Sequence, residues 1–472
     1  MSKKNNLINL FVFLSSILSF GIIISNFNNI AKGYTLVSIF PVTFLVMYFL
    51  TIANISNSRN AIPVTTYMFL ILQWLRYVLT PLMISLSGEK CGTHFINPET
   101  MSLNLACTLM IIDAIITFLV MFYLARKKKI SPCKDRVLLQ GNKYIYILYV
   151  LFAAILYLIV GRGTGMLNFL FISVESGERL GDITSTSLVI VRQIVLIAVF
   201  LVFVWSVASC SKQYKKTGKK KYFYLSVLLA LLNVSIIVGE RRSAQVYTGF
   251  CSVWVLCYAY PEFKRKIILA VGGLATIMLT MMSIYKFSGA FIYGSYSEAL
   301  KNSNFDVAWL SATLQSYFAG PQDFAAVIDF GKSSNVGILN LIYDFMRSTI
   351  PISFFVKGGN VTSQMFNYYL YNGTQNTGHI ISAAAYGYLY CGIIFSSVFS
   401  VVNLCISAYF ERKMQRTDSY EMMYVWAYVL MRFGLNLTAN TPVLISAATM
   451  MLMTGGLLFK TANIMKIRIV KR

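Results

Sequence analysis

Apolar runs separated by short polar breaks organise most of this chain. Twelve of them stand at 8–27, 35–53, 62–85, 103–125, 144–161, 186–209, 222–238, 243–260, 267–285, 383–409, 420–437 and 443–459. At about 1.5 Å per residue, each comes close to or exceeds the roughly 30 Å hydrocarbon core of a bilayer. Backbone polar groups in lipid must be satisfied internally, so such runs predict helices. A barrel would instead show alternating segments of about ten residues. The pattern predicts an all-α polytopic membrane protein of about 12 transmembrane helices. The first run follows Lys3 and Lys4 as a signal sequence would. It is long and lacks a small-residue cleavage site, so a retained anchor is expected.

One stretch breaks the pattern. Residues 286–381 form a loop that is too long for a simple connection and is rich in aromatic residues. Within it, 304–330 and 335–351 read as amphipathic helices lying on or dipping into the outer interface, with Gly320-Pro321 breaking the first. A second outer loop, 162–182, has similar character. The expected layout is nine spans over 1–285, the large loop over 286–381, and three spans with a tail over 382–472.

Charge decides orientation. The chain carries 41 Lys and Arg against 17 Asp and Glu, a net charge of +24. On a soluble protein that surplus would suggest nucleic acid. Sorted by loop, 27 of the basic residues fall on one face, 11 on the other and 3 within spans. The basic face is cytoplasmic by the positive-inside rule, so both termini are cytoplasmic and nucleic-acid binding is not expected. The eight cysteines lie mostly in or near spans, with only Cys91 clearly in an outer loop, which gives no disulfide framework. His94 and His379 are the only histidines and show no metal-ligand spacing, so no metal or other cofactor is expected.

The three basic residues within spans are all arginines: Arg76, Arg192 and Arg432. The assigned topology places them in the outer half of the membrane. Charge at the centre of a bilayer costs about 2.5–3.5 kcal/mol or more and usually marks function. Snorkelling to the interface is the alternative for each. Asp113 is the only acid deep within a span, and pairing with one of these arginines is its expected structural role. The hairpin VGERRSAQVY, residues 238–247, adds Arg241 and Arg242 on the outer side. Guanidinium forks grip phosphate oxygens through paired bonds. The inference is an outward cavity for a lipid that carries a diphosphate. Tyr317, Phe318, Tyr368, Tyr369 and Tyr371 offer aromatic faces for sugar rings, or serve as interfacial anchors.

With these residues in view, the chain resembles the polysaccharide repeat-unit polymerases of bacterial O-antigen and capsule loci (Wzy-type). Three features carry the resemblance: the short GERRSA hairpin between two middle spans, YFAGPQD (317–323) in a large late outer loop, and the Gly-rich return NTGHIISAAAYGYLYCG (376–392) into a span. The resemblance implies a GT-C-like, metal-independent glycosyltransferase in the bacterial cytoplasmic membrane, acting at its outer face. Its substrate would be an undecaprenyl-diphosphate-linked oligosaccharide, with membrane lipid, a chain-length regulator and a flippase as candidate partners. An acceptor hydroxyl would attack the anomeric carbon and undecaprenyl diphosphate would leave. That chemistry needs preorganised cations around the diphosphate. Arg241 and Arg242 are the first candidates, then Arg192, Arg76 and Arg432, with Arg347 as a further contact. Asp323, Glu240, His379 and Asp329 are candidates for the general base.

Two other classes fit parts of the pattern. A flippase or other transporter of the same lipid-linked sugars would also hold cavity arginines, although no internal repeat is visible. A ligase would share donor and fold type. A non-enzymatic assembly component leaves the membrane arginines without a role.

If the hairpin arginines grip a diphosphate, Arg241→Lys and Arg242→Lys should each lose about tenfold or more in polysaccharide chain joining, because the charge survives and the fork does not. The size distribution of surface polysaccharide, at matched expression, is the measurement. Near-normal chain length in both variants removes the clamp.

Overall fold

The computed structural model describes residues 3–58, 62–88, 97–126, 141–162, 164, 167–170, 186–237, 242–356, 358–373 and 379–470. The chain is all-α apart from one two-residue ribbon. Among the described residues, eight helices are long and apolar enough to cross a membrane: Asn6–Ser25, Thr35–Ile55, Val64–Ser87, Thr100–Arg126, Lys143–Gly161, Leu188–Thr217, Pro261–Phe287 and Thr441–Lys466. They coincide with eight of the twelve expected spans.

The other four expected spans differ, for local reasons. The 222–238 run gives a helix of 14 residues, Lys221–Val234, and then a strand, Ile236–Ile237, antiparallel to Asn168–Phe169. The β-branched Ile236 and Ile237 suit a ladder better than a helix end. The 243–260 run forms Arg242–Ala259, whose polar first turns dilute its apolar character. The 383–409 run is broken. Ala383–Cys391 stops at Gly392, which takes φ +72°, and Val398–Arg416 begins only after the turns at 392–397. Glycine takes that left-handed conformation without steric cost. The 420–437 run forms a helix of 15 residues, Tyr420–Gly434.

The chain makes two compact units. The first comprises Met1–Lys129, Asn304–Glu411 and Arg432–Thr449. The second comprises Ile130–Ser303, Arg412–Met431 and Met450–Arg472.

In the first unit, aromatic rings fill the space between spans; Phe69 and Phe118 meet edge to face at 4.9 Å. The buried carboxylate of Glu411 accepts from the Val64 and Thr65 backbone N–H groups at 2.7 and 3.0 Å. A distant acid thus satisfies the orphan donors at a helix start, where the dipole favours negative charge. Asn403 donates to the Leu437 and Ala439 carbonyls and accepts from the Thr441 hydroxyl, tying the 435–440 turn to Val398–Arg416.

The large loop corrects the sequence expectation. Val307–Phe318 packs against Thr80–Ser87, and Pro321–Ser333 packs along Thr100–Arg126. The second pair is antiparallel and in register. Ala319, just before the helix, is joined through Arg76 to Asp113, while Asp329 near its other end accepts from the Ser102 hydroxyl and the Glu99 N–H. Asp113 is at the midpoint of its span, so the Ala319 end reaches the middle of the bundle. Pro321–Ser333 is therefore not a surface helix with one wet face. Its residues Pro321 to Ile328 are all buried.

The second unit is held by stacked rings and a buried acid. Phe200 stacks on Tyr424 at 3.7 Å, and the Tyr146 hydroxyl donates to Glu421 at 3.1 Å. An apolar cavity of about 350 Å³ lies among Ala153, Tyr157, Val195, Val199, Phe203 and Asn233.

One glycine is decisive in the first unit. A Cβ on Gly387 would stand 2.0 Å from the Ser396 carbonyl oxygen, a backbone atom that cannot swing away. Gly387→Ala should destabilise the fold by about 3 kcal/mol or more, as severe overpacking does. Gly21 has nothing within 4 Å of its Cβ position. Gly21→Ala should be neutral or stabilise by up to about 1 kcal/mol, as in an open helix position. Thermal unfolding of both variants in one detergent compares them directly.

Candidate functional site

The site in the first unit is built around a widened turn of the third span. Pro81 has no N–H to offer Tyr77, and one turn earlier the helix opens to π geometry over Leu75–Leu79. The Thr80 N–H reaches back to the Leu75 carbonyl. Such bulges aim a side chain differently from a regular helix and recur at functional sites. Here the side chain is Arg76, buried at 1% exposure. It stands twelve residues from Val64 and eleven from Ser87, at the centre of the helix and not in its outer half as the sequence suggested.

Arg76 is committed on two sides. Nη1 donates to Asp113 Oδ2 at 2.8 Å, and Nε donates to the Ala319 carbonyl at 3.2 Å. Arg76 Nη2 and Asp113 Oδ1 have no hydrogen-bond partner within the protein. The expected pairing of Asp113 with a span arginine is thus present. The fork assigned to a diphosphate is largely spent on holding the protein's own backbone.

YFAGPQD is the corner that Arg76 holds. Ala319 closes Val307–Phe318 in the left-handed conformation, φ +54°, which costs a non-glycine residue strain. Gly320 follows because a Cβ there would stand 2.7 to 2.9 Å from Gln315. Pro321 opens Pro321–Ser333 at the position where its missing N–H is harmless. The Gln315 side chain accepts from the Gln322 N–H at 3.1 Å.

Asp323 comes next, in the first turn of that helix. It is buried, and its Oδ1 has no hydrogen-bond partner. His379 Nδ1 lies 4.0 Å from that oxygen, beyond a hydrogen bond. Burial pushes the Asp323 carboxyl up to about 7 and holds the His379 imidazole below its usual range. Desolvation outweighs the helix dipole, which would favour the carboxylate. Asn367 fixes His379 by a reciprocal pair, accepting from its N–H at 3.0 Å and donating to its carbonyl at 2.8 Å. The Tyr371 ring sits 5.8 Å from the imidazole, and its hydroxyl is raised by burial and by the Asp323 charge.

Further along the same helix lies an open groove of about 490 Å³ lined by Phe330, Ser333, Asn360, Tyr368, Tyr369 and Asn372 among others. Tyr368 and Tyr369 are exposed there. Asp329, a sequence candidate for a base, is engaged by Ser102, Glu99 and Lys332 and serves as an anchor.

Glu240 and Arg241 lie outside the described residues, and Arg242 opens the helix Arg242–Ala259, with its side chain outside the description. Arg192 is buried in Thr186–Thr217 of the second unit. Arg432 donates to the Val443 carbonyl at 3.1 Å. Arg347 is exposed and donates to the Val356 carbonyl at 2.9 Å. Sequence reasoning missed Gln315, Asn367 and Asp344. Each acts on a backbone group or hydroxyl brought close by folding, which no local spacing announces.

The Arg76–Asp113 pair makes a sharp energetic prediction. Asp113→Asn should destabilise by about 3–5 kcal/mol, since it leaves a buried cation uncompensated. Arg76→Met combined with Asp113→Leu should recover part of that stability, because it removes the uncompensated charge but leaves the Ala319 carbonyl without its donor. Unfolding midpoints of the single and double variants measure the coupling; additive losses would show that the pair is not coupled. Comparison with protein-family models, with curated proteins and with solved structures finds no match for this chain.

Proposed function

We propose that the chain is a membrane-embedded glycosyltransferase that joins polyprenyl-diphosphate-linked oligosaccharide repeat units into surface polysaccharide, with Asp323 as its general base. One observation carries the reading. Asp323 is a buried carboxyl with a free oxygen, poised near neutrality, at the head of a helix that leads to a groove rich in tyrosine, asparagine and serine. A base is most effective when its pKa lies near the working pH. The groove suits a glycan, since sugars present apolar ring faces to tyrosines and hydroxyls to amides.

The step follows from these parts. The acceptor sugar's hydroxyl gives its proton to the Asp323 carboxylate. Its oxygen bonds to the anomeric carbon of the donor, and the bond from that carbon to the diphosphate oxygen breaks. The electron pair leaves on polyprenyl diphosphate, a stable anion that needs no proton. His379, half-buried beside Asp323, is placed to pass the captured proton onward. Arg76 acts as the residue that positions the Ala319 corner.

Asp323→Asn should lower the rate by about 100-fold or more, the usual worth of a positioned base. The wild-type rate should rise with pH through about 7 and then level, because only the carboxylate accepts the proton. The amide of the variant cannot titrate, so that limb should vanish. The assay is reconstituted protein with a lipid-linked repeat unit, read as a ladder of longer glycans. Transfer only to a different acceptor would make the chain a ligase. Movement of the substrate between leaflets without a new glycosidic bond would make it a transporter and overturn the proposal.

A further inference from the structure

The helix Ile338–Ser348 packs Leu341 and Phe345 on the core of the first unit and turns a second apolar face outward. Ile338, Leu339, Ile342 and Met346 form an exposed stripe, with Leu339 78% exposed. Asp344 points inward with Leu341 and Phe345 and is buried, accepting from the Thr362 N–H at 2.9 Å and the Tyr386 hydroxyl at 2.7 Å. Phe354 and Phe355 extend the stripe beyond the helix, Phe355 being 85% exposed. In water such a patch would be a liability.

A second contact fixes where the segment lies. The Ile350 N–H donates to Thr449 Oγ1 at 3.2 Å. Thr449 stands eight residues inside the span Thr441–Lys466, about 12 Å from its first residue at 1.5 Å per residue. That span has 26 residues, about 39 Å, against a hydrocarbon core of roughly 30 Å. Even if the whole excess of about 9 Å projected beyond the Thr441 end, Thr449 would still sit about 3 Å inside hydrocarbon. The chain at Ile350 therefore lies at or below the membrane boundary.

We propose that residues 338–355 form a re-entrant element whose apolar stripe is covered by the acyl chains of bulk phospholipid in one leaflet. Arg347, exposed near the helix end, donates to the Val356 carbonyl and closes the turn that carries Phe354 and Phe355. Asp344 is the tether: its two hydrogen bonds, with the packing of Leu341 and Phe345, hold this side of the helix on the protein and leave Ile338, Leu339, Ile342 and Met346 for lipid. The inference concerns the surface alone and does not depend on the proposed activity.

The test uses the full chain in phosphatidylcholine–phosphatidylglycerol vesicles containing a phospholipid with a photoactivatable acyl chain. After illumination, adducts are mapped by peptide. Residues 338–356 should carry adducts at the density found on the helix Lys3–Ser25, whose Leu7, Leu10 and Leu14 are exposed. Absence of adducts on 338–356 while Lys3–Ser25 is labelled overturns the proposal. A benzophenone residue placed at Leu339 or at Phe355 gives the second reading. A mass gain of one phospholipid supports the proposal, and a covalent dimer of the chain overturns it in favour of a homomeric interface.

Discussion

The first unit depends on one constraint: a break in the backbone at the middle of a helix bundle must find partners there. Water is scarce at that depth, and each unsatisfied carbonyl costs several kcal/mol. The corner at Ala319-Gly320 ends one helix and starts another beside the centre of two spans. Arg76 supplies the missing donor, and Asp113 supplies the charge that makes a buried guanidinium tolerable. The π turn that aims Arg76 follows from Pro81 in the same helix. A proline, an arginine, an acid and a left-handed alanine thus form one unit of cause. Removing any one leaves the others with an unmet polar group.

That arrangement explains why Asp323 is where it is. A carboxyl two residues into a helix normally gains from the dipole and from free N–H groups, and lies near the surface. Here the helix start is enclosed, so the same position becomes a desolvated one. The carboxyl is raised to about 7 because burial outweighs the dipole. His379 is drawn alongside by the Asn367 clamp. The raised Asp323 carboxyl thus follows from the placement of a helix end, which was fixed by the need to satisfy a backbone carbonyl.

The sequence revealed the apolar periodicity well and the depth of elements poorly. Eight spans were legible because length and apolarity are local properties. The break at Gly392 and the strand at Ile236–Ile237 were not, because a continuous apolar run does not say where tertiary partners will pull it apart. Asp113 was legible as the partner of a span arginine, though not of Arg76 in particular, because charge in a span demands compensation. Asp323 was legible only as a candidate, since the motif YFAGPQD marks a turn but not the layer in which the turn lies. That layer is set by contacts such as Arg76 to Ala319, 243 residues apart in sequence.

The helix Ile338–Ser348 shows how the same rule, applied to a different solvent, reverses the usual reading. An amphipathic pattern gives the angle between polar and apolar faces, but not which one meets the protein. In water the apolar face turns inward. Beside lipid, the group with most to lose from exposure is the carboxylate, and Asp344 is accordingly the buried residue of this helix. Tyr386 and the Thr362 N–H replace the water it gives up. The orientation is therefore set by the desolvation of one acid against two donors together with the packing of Leu341 and Phe345, and the exposed leucine and isoleucines follow from it.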